Sequence, residues 1–201
     1  TRTLDFHQGK SLIELSGLFL QTSPFSYSEK QEILNEIKIN LNDNDDQTYA
    51  LKHIQLRLMM EETNVDKDLL DSLSKECLDY AVETGNQSHL PKILELRLDI
   101  LSTTKYLDNK RGAIDLYIKY EESLRSNGRG LDWVIFTLNF FGSTSAEYYI
   151  KERKEDAQMY ILNIEQYIYA RYNETFYNDL IHDFVLVKIR FLYHTDQHDE
   201  L

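Results

Sequence analysis

Residues 93–126 read ILELRLDILSTTKYLDNKRGAIDLYIKYEESLRS, and this stretch decides the fold class. Its apolar residues recur at three and four: Ile93, Leu96, Ile100 and Leu101 in the first half, Ala113, Tyr117 and Tyr120 in the second. That period stacks them on one face of each of two helices, whereas a strand alternates at two. Ser88 and Pro91 start the first helix, since proline is tolerated in a first turn where its missing donor costs nothing. Asn109 opens the second, over Lys110 to Arg125, and Asn127-Gly128-Arg129-Gly130 ends it.

The same period runs outward in both directions. Only two prolines and seven glycines interrupt it. A helix is expected from Lys10 to Leu20 with Leu12, Leu15 and Phe19 inward, stopped at Gln21-Thr22-Ser23-Pro24. Ser28 with Gln31 reads as a capping box opening a second helix, with Ile33, Leu34, Ile37 and Leu41 inward. After a break at residues 42–46 a third passes through Tyr49, His53, Leu56 and Met60. A fourth, Lys67 to Glu83, turns Leu69, Leu70, Leu73, Cys77 and Ala81 inward and stops at Gly85. Asp132 caps a short helix from Trp133 to Phe141, closed by Gly142. Ser143 or Ser145 begins a long one running through Arg171, and after a break at residues 173–175 the last covers Tyr177 to Tyr193. The chain is expected to be all-α, seven to nine helices with short connections and hence antiparallel neighbours. No composition shift marks a boundary, so residues 1–201 read as one domain, and a start at Thr1 without Met suggests the C-terminal part of a longer protein.

The helices pair at intervals of about 34 to 40 residues, the period of stacked helical hairpins. Ala113, Tyr117 and Tyr120 resemble the small-aromatic-small positions of a tetratricopeptide second helix, with Tyr120 where a small residue belongs. Tyr80-Ala81, Glu83 and Gly85-Asn86 resemble the end of such a hairpin. The likeness covers residues 28–142 and lacks the Trp, Gly and Pro signposts of the first helix. It implies a TPR-like solenoid whose groove holds another protein or peptide; a helical bundle is the alternative.

Charge removes some functions. Against 34 Asp and Glu stand 22 Lys and Arg, a net charge of −12, with the basic residues scattered, so a phosphate backbone is repelled and nucleic acid is not an expected partner. The longest apolar run, residues 133–141, falls short of the roughly 20 residues a membrane helix needs, so no membrane insertion is expected. No enzyme motif stands out. Asp43-Asn44-Asp45-Asp46 begins like a calcium loop, but Gln47 and Thr48 fill later ligand and glycine places and Ile54 stands where the bidentate Glu belongs. The six histidines (His7, His53, His89, His182, His194, His198) form no paired zinc motif, and His182-Asp183 lacks a nucleophile beside it. Gly128-Arg129-Gly130 lacks the lysine of a phosphate loop. Cys77, the single cysteine, reads as a small buried hydrophobe. No catalytic residue, cofactor or metal is expected.

Eight of the 14 tyrosines lie between Tyr148 and Tyr193, and they read either as core with hydroxyls at its edge or as a partner-binding face. The chain terminus is more specific: His198, Asp199, Glu200 and Leu201 resemble the HDEL retrieval signal of endoplasmic reticulum residents, read by the HDEL receptor. Asn86-Gln87-Ser88 and Asn173-Glu174-Thr175 are glycosylation acceptors at expected helix breaks. With 12 Asn and 25 Ser or Thr, about 1.5 such triplets arise by chance, so they add little. The expected function is a non-enzymatic interaction domain, an adaptor or co-chaperone of the endoplasmic reticulum lumen. The alternatives are a peptide-sensing TPR-like domain of a cytoplasmic, bacterial-type transcriptional regulator, and a scaffold subunit of a large assembly.

Overall fold

A computed structural model describes residues 16–17, 19–39, 45–85, 88–171 and 177–195. Among the described residues 16–17 and 19–22 are helical, nine further helices follow, and no strand occurs: α1 (Tyr27–Ile39), α2 (Asp45–Glu61), α3 (Lys67–Glu83), α4 (Leu90–Ser102), α5 (Lys110–Ser126), α6 (Gly130–Gly142), α7 (Ser145–Glu152), α8 (Lys154–Tyr169) and α9 (Tyr177–His194). The all-α expectation holds. The chain divides into two compact units, residues 1–93 and 94–201, with the division inside α4.

In the first unit α2 packs against both α1 and α3. Lys30 near the start of α1 reaches Glu61 at the end of α2 (2.9 Å), which makes these two helices antiparallel, and Lys52 joins Glu76 between the middles of α2 and α3 (2.9 Å). Leu20, Leu34, Leu51, Ile54 and Leu58 form one buried cluster, with Ile33 and Ile37 packed on its edge. Four details differ from the sequence reading. The capping box lies at Ser26 and Glu29, not at Ser28 and Gln31: Ser26 donates its amide to Glu29 Oε2 (2.8 Å), and the Glu29 amide returns to Ser26 Oγ (3.4 Å). Phe19 faces outward, edge-on to Phe25, while its neighbour Leu20 is the buried residue. Leu69 is exposed, because the buried stripe of α3 is Leu70, Leu73, Ser74, Cys77, Leu78 and Ala81, with Asp66 capping at Leu69 N (3.0 Å). The break expected at residues 42–46 ends earlier, since α2 already begins at Asp45. Gly85 has φ +60, the left-handed stop expected of it.

In the second unit α5 and α6 are antiparallel. Glu121 meets Trp133, and Tyr117 stacks on Phe140 at 4.0 Å with nearly parallel rings. Ala113, Tyr117 and Tyr120 are all buried, as their spacing requires. Asn109 caps α5 at Gly112 N (2.9 Å) and also donates its own amide to Leu101 O (2.7 Å), which folds the connection back on the end of α4. Trp133, Val134, Phe136, Thr137, Leu138, Phe140 and Phe141 make α6 buried almost all round, in contact with α5, α7 and α9. This helix starts at Gly130, so Asp132 is inside its first turn rather than at its cap, where its carboxylate accepts from Arg129 Nε (2.9 Å). The long helix expected from residue 145 to 171 is two, α7 and α8, broken at Arg153 (φ −139, ψ 55). Six consecutive charged residues, 151–156, leave that turn with nothing to bury, and the break aims Tyr160, Ile161, Ile164 and Ile168 inward separately from Tyr149 and Ile150.

Candidate functional site

The last helix carries two apolar stripes. Leu180, Phe184, Val187, Phe191 and Leu192 are buried, on the side that meets α6, α7 and α8. On the opposite side His182, Leu186, Ile189 and Tyr193 follow one another at intervals of four, three and four, with Val185 beside them, and all five are exposed. That is the spacing of a helix seam that inserts into a second helix. Leu186 is 54% exposed and Tyr193 64%.

Helix α8 widens this surface. It lies antiparallel to α9: Lys188 Nζ bridges to Glu165 Oε1 (2.7 Å), and Lys154 Nζ donates to the Thr195 carbonyl (3.3 Å). Along α8 the positions beside Glu165 on its outer side are Leu162 and Tyr169, with Met159 further round, and all three are exposed. The seven apolar side chains of the pair are each between 44% and 65% exposed, a concentration of apolar surface of the kind that marks an interaction site. The pair is also held firmly. Arg190 donates to the carbonyl oxygens of Gly142 and of Ser143 (3.2 Å) and reaches Glu147 (3.4 Å), while His194 Nε2 stands 3.6 Å from the same carboxylate.

Beneath this face the polar groups of the second unit are used for packing. Glu121, 6% exposed, accepts from Tyr160 Oη (2.6 Å) and from Trp133 Nε1 (3.4 Å), so both carboxylate oxygens are engaged. Burial and then this hydrogen bond push the Tyr160 phenol well above its usual range. Tyr117, wholly buried among Phe136, Phe140, Phe141, Tyr149 and Tyr160, has its phenol raised chiefly by burial. Its hydroxyl and that of Thr137 lack a hydrogen bond of good geometry, with each other or with any other group. The tyrosines thus divide. Tyr149 and Tyr160 belong to the core, with the Tyr160 hydroxyl turned inward rather than to the edge, whereas Tyr148, Tyr169 and Tyr193 are on the surface.

The other reactive groups are shielded or scattered. Cys77 is fully buried, and burial pushes its thiol up to about 12, leaving it protonated and unreactive at neutral pH. His53 stands beside Tyr49, which stacks on His89 at 4.2 Å and Tyr80 at 5.3 Å. Burial first, then Arg57, Lys92 and His89, lowers the His53 imidazole to about 4, so it is neutral near pH 7. His182 Nδ1 and Asp183 Oδ1 are 3.5 Å apart on the open side of α9, in no cleft. Among the described residues no group of three His, Cys, Asp or Glu is arranged to hold a metal ion, and no helix is long and apolar enough to cross a membrane.

The residues expected to form a retrieval signal, His198, Asp199, Glu200 and Leu201, and the expected acceptors Asn86 and Asn173 lie outside the described residues. Sequence reasoning did not pick out the outer face of α8 and α9, although its signal is present: residues 180–193 hold two interleaved apolar stripes where a surface helix has one. No known protein family, curated protein or solved structure matches the chain, so no role comes to it from a relative.

Proposed function

We propose that this chain is a non-enzymatic protein–protein interaction domain, an adaptor or co-chaperone whose helices stack as TPR-like hairpins. The outer face of α8 and α9 carries the reading: an apolar, helix-shaped surface on the last two helices of the second unit, where a closing helix ordinarily turns a polar side to water. Contacts of α5 with α7 and of α6 with α9 support a stacked arrangement within the second unit, since with α7 and α8 taken as one broken helix α5 and α6 each touch the next neighbour but one. The buried, fully engaged Glu121 and the protonated Cys77 support a structural rather than a chemical use of the interior.

The address rests on the terminus. The signal works only where the Leu201 carboxylate is free behind Asp199 and Glu200, read by the HDEL receptor in the endoplasmic reticulum. Two experiments test the two parts. A glycosidase specific for high-mannose sugars is expected to shift the gel mobility of the protein expressed from its own gene, and Asn86→Gln with Asn173→Gln abolishes the shift; absence of a shift removes the support of the acceptors for the luminal address. For the interaction itself, the native size of the protein in a gentle cell extract is expected to exceed that of the chain alone and to fall when Leu186→Glu and Ile189→Glu charge the face. A size that ignores both substitutions contradicts the reading.

A further inference from the structure

We propose that the occupant of this face is a second copy of the chain, packed about a two-fold axis with the two α9 helices antiparallel. This rests on the reading of α8 and α9 as an interaction face and names its partner. Three observations carry it.

The first is register. In a seam of four-three-four spacing, antiparallel pairing about a two-fold axis between Leu186 and Ile189 sets Leu186 against the partner's Ile189 and His182 against the partner's Tyr193. The same two layers recur by symmetry, so every seam residue has a counterpart and none overhangs.

The second is charge at the rim. Asp183 and Arg190 occupy the same flank of the seam, seven residues apart. Antiparallel pairing brings flanking positions of one kind together, which sets Asp183 of one copy against Arg190 of the other, twice. Asp183 is an exposed carboxylate, and Arg190 is anchored in place by Gly142, Ser143 and Glu147. On the other flank Val185 is exposed and apolar, next to the outer face of α8. A parallel pairing would instead set Arg190 against Val185. The seam holds no Asp, Glu, Lys or Arg, so the net −12 of each chain lies elsewhere than between the copies.

The third is area. Seven apolar side chains on α8 and α9, each 44–65% exposed, offer surface on the scale of the roughly 800 Å² that one partner contributes to a standard stable interface. A short peptide would leave much of it open.

Sedimentation of the purified chain tests the proposal. The expected mass is about twice 23.8 kDa, falling to one copy in the Leu186→Glu, Ile189→Glu variant with unchanged helical circular dichroism. Both residues are exposed in the single chain, so the charges do not disturb its own core. Cysteine pairing then reads the register: the His182→Cys, Tyr193→Cys double variant is expected to oxidise to a covalent dimer, and neither single variant is, because identical seam positions stand about 16 Å apart across the axis. The native Cys77 is buried and does not compete. A single-copy mass at every concentration, a dimer indifferent to the two glutamates, or ready crosslinking of Tyr193→Cys alone overturns the proposal. If the purified chain is single while the larger species in cell extract still collapses on charging the face, the second copy is refuted and the interaction face stands. If the extract species is also indifferent, both fail.

Discussion

Replacing Tyr160 by Phe removes one hydroxyl and almost nothing else. The ring keeps its edge contact with Tyr117 at 5.8 Å and its place in the core, while Glu121 loses the 2.6 Å hydrogen bond to Oε1 and keeps only the longer one from Trp133 to Oε2. A hydrogen bond to a charged group contributes about 1.5–3 kcal/mol, and the carboxylate left behind is 6% exposed, so water does not restore it. The expected loss is therefore about 2 kcal/mol in the second unit, read as a lower denaturant midpoint at unchanged slope. Tyr160→Phe combined with Glu121→Leu tests the origin of that loss, because removing both partners removes the unsatisfied group as well. The double variant is expected to lose less than the two single variants together, with a coupling of more than 0.5 kcal/mol. A Tyr160→Phe midpoint within about 0.5 kcal/mol of the parent, or strict additivity, refutes the assignment of this network to the stability of the core.

Ser26→Ala is expected to cost about 1 kcal/mol in the first unit, the usual cost of a lost helix cap, and Ser28→Ala close to nothing; equal effects in denaturant titrations place the cap wrongly. His53, neutral in the fold with its imidazole lowered to about 4, contributes stability that is fully present above pH 6.5 and lost as pH falls toward 4, at most about 3 kcal/mol. His53→Leu should flatten that acid limb, and an unchanged pH profile contradicts the burial of the neutral ring. At the other end, burial raises the phenols of Tyr49, Tyr117 and Tyr160 and takes Tyr149 and the Cys77 thiol up to about 12. Folded values above unfolded ones mean stability complete below about pH 9 and lost as pH rises from there toward 12 and beyond. Tyrosinate absorbance should therefore appear together with unfolding, and a smooth titration of most phenols in a still-folded chain contradicts the packing.

The legible parts of this chain were those where period and punctuation agree. Asp66 and Gly85 bound α3 where apolar residues recur at three and four, and Asn109 bounds α5 in the same way, so both helices read correctly to within a residue. The misreadings have local causes. Ser26 and Ser28 both precede an acceptor three residues on, and only the geometry of the first turn chooses between them. The break at Arg153 contains neither glycine nor proline; a charged run with no apolar anchor interrupts the helix while the period continues in phase across it. The outer face of α9 escaped notice because a helix apolar on two sides looks, residue by residue, like a well-buried one. Which side meets water depends on where α6, α7 and α8 lie, and that is a property of the folded unit. The HDEL-like terminus and the Asn86 and Asn173 triplets rest on the sequence alone and lie outside the described residues.

The central claim is that the outer face of α8 and α9 holds a protein. Photo-crosslinking from a reactive side chain at Ile189 in the intact cell, beside the same group at the exposed Glu83 on α3, tests it most directly. The account predicts a discrete protein adduct from position 189 and none from position 83. No adduct at 189, or the same adducts from both positions, contradicts it.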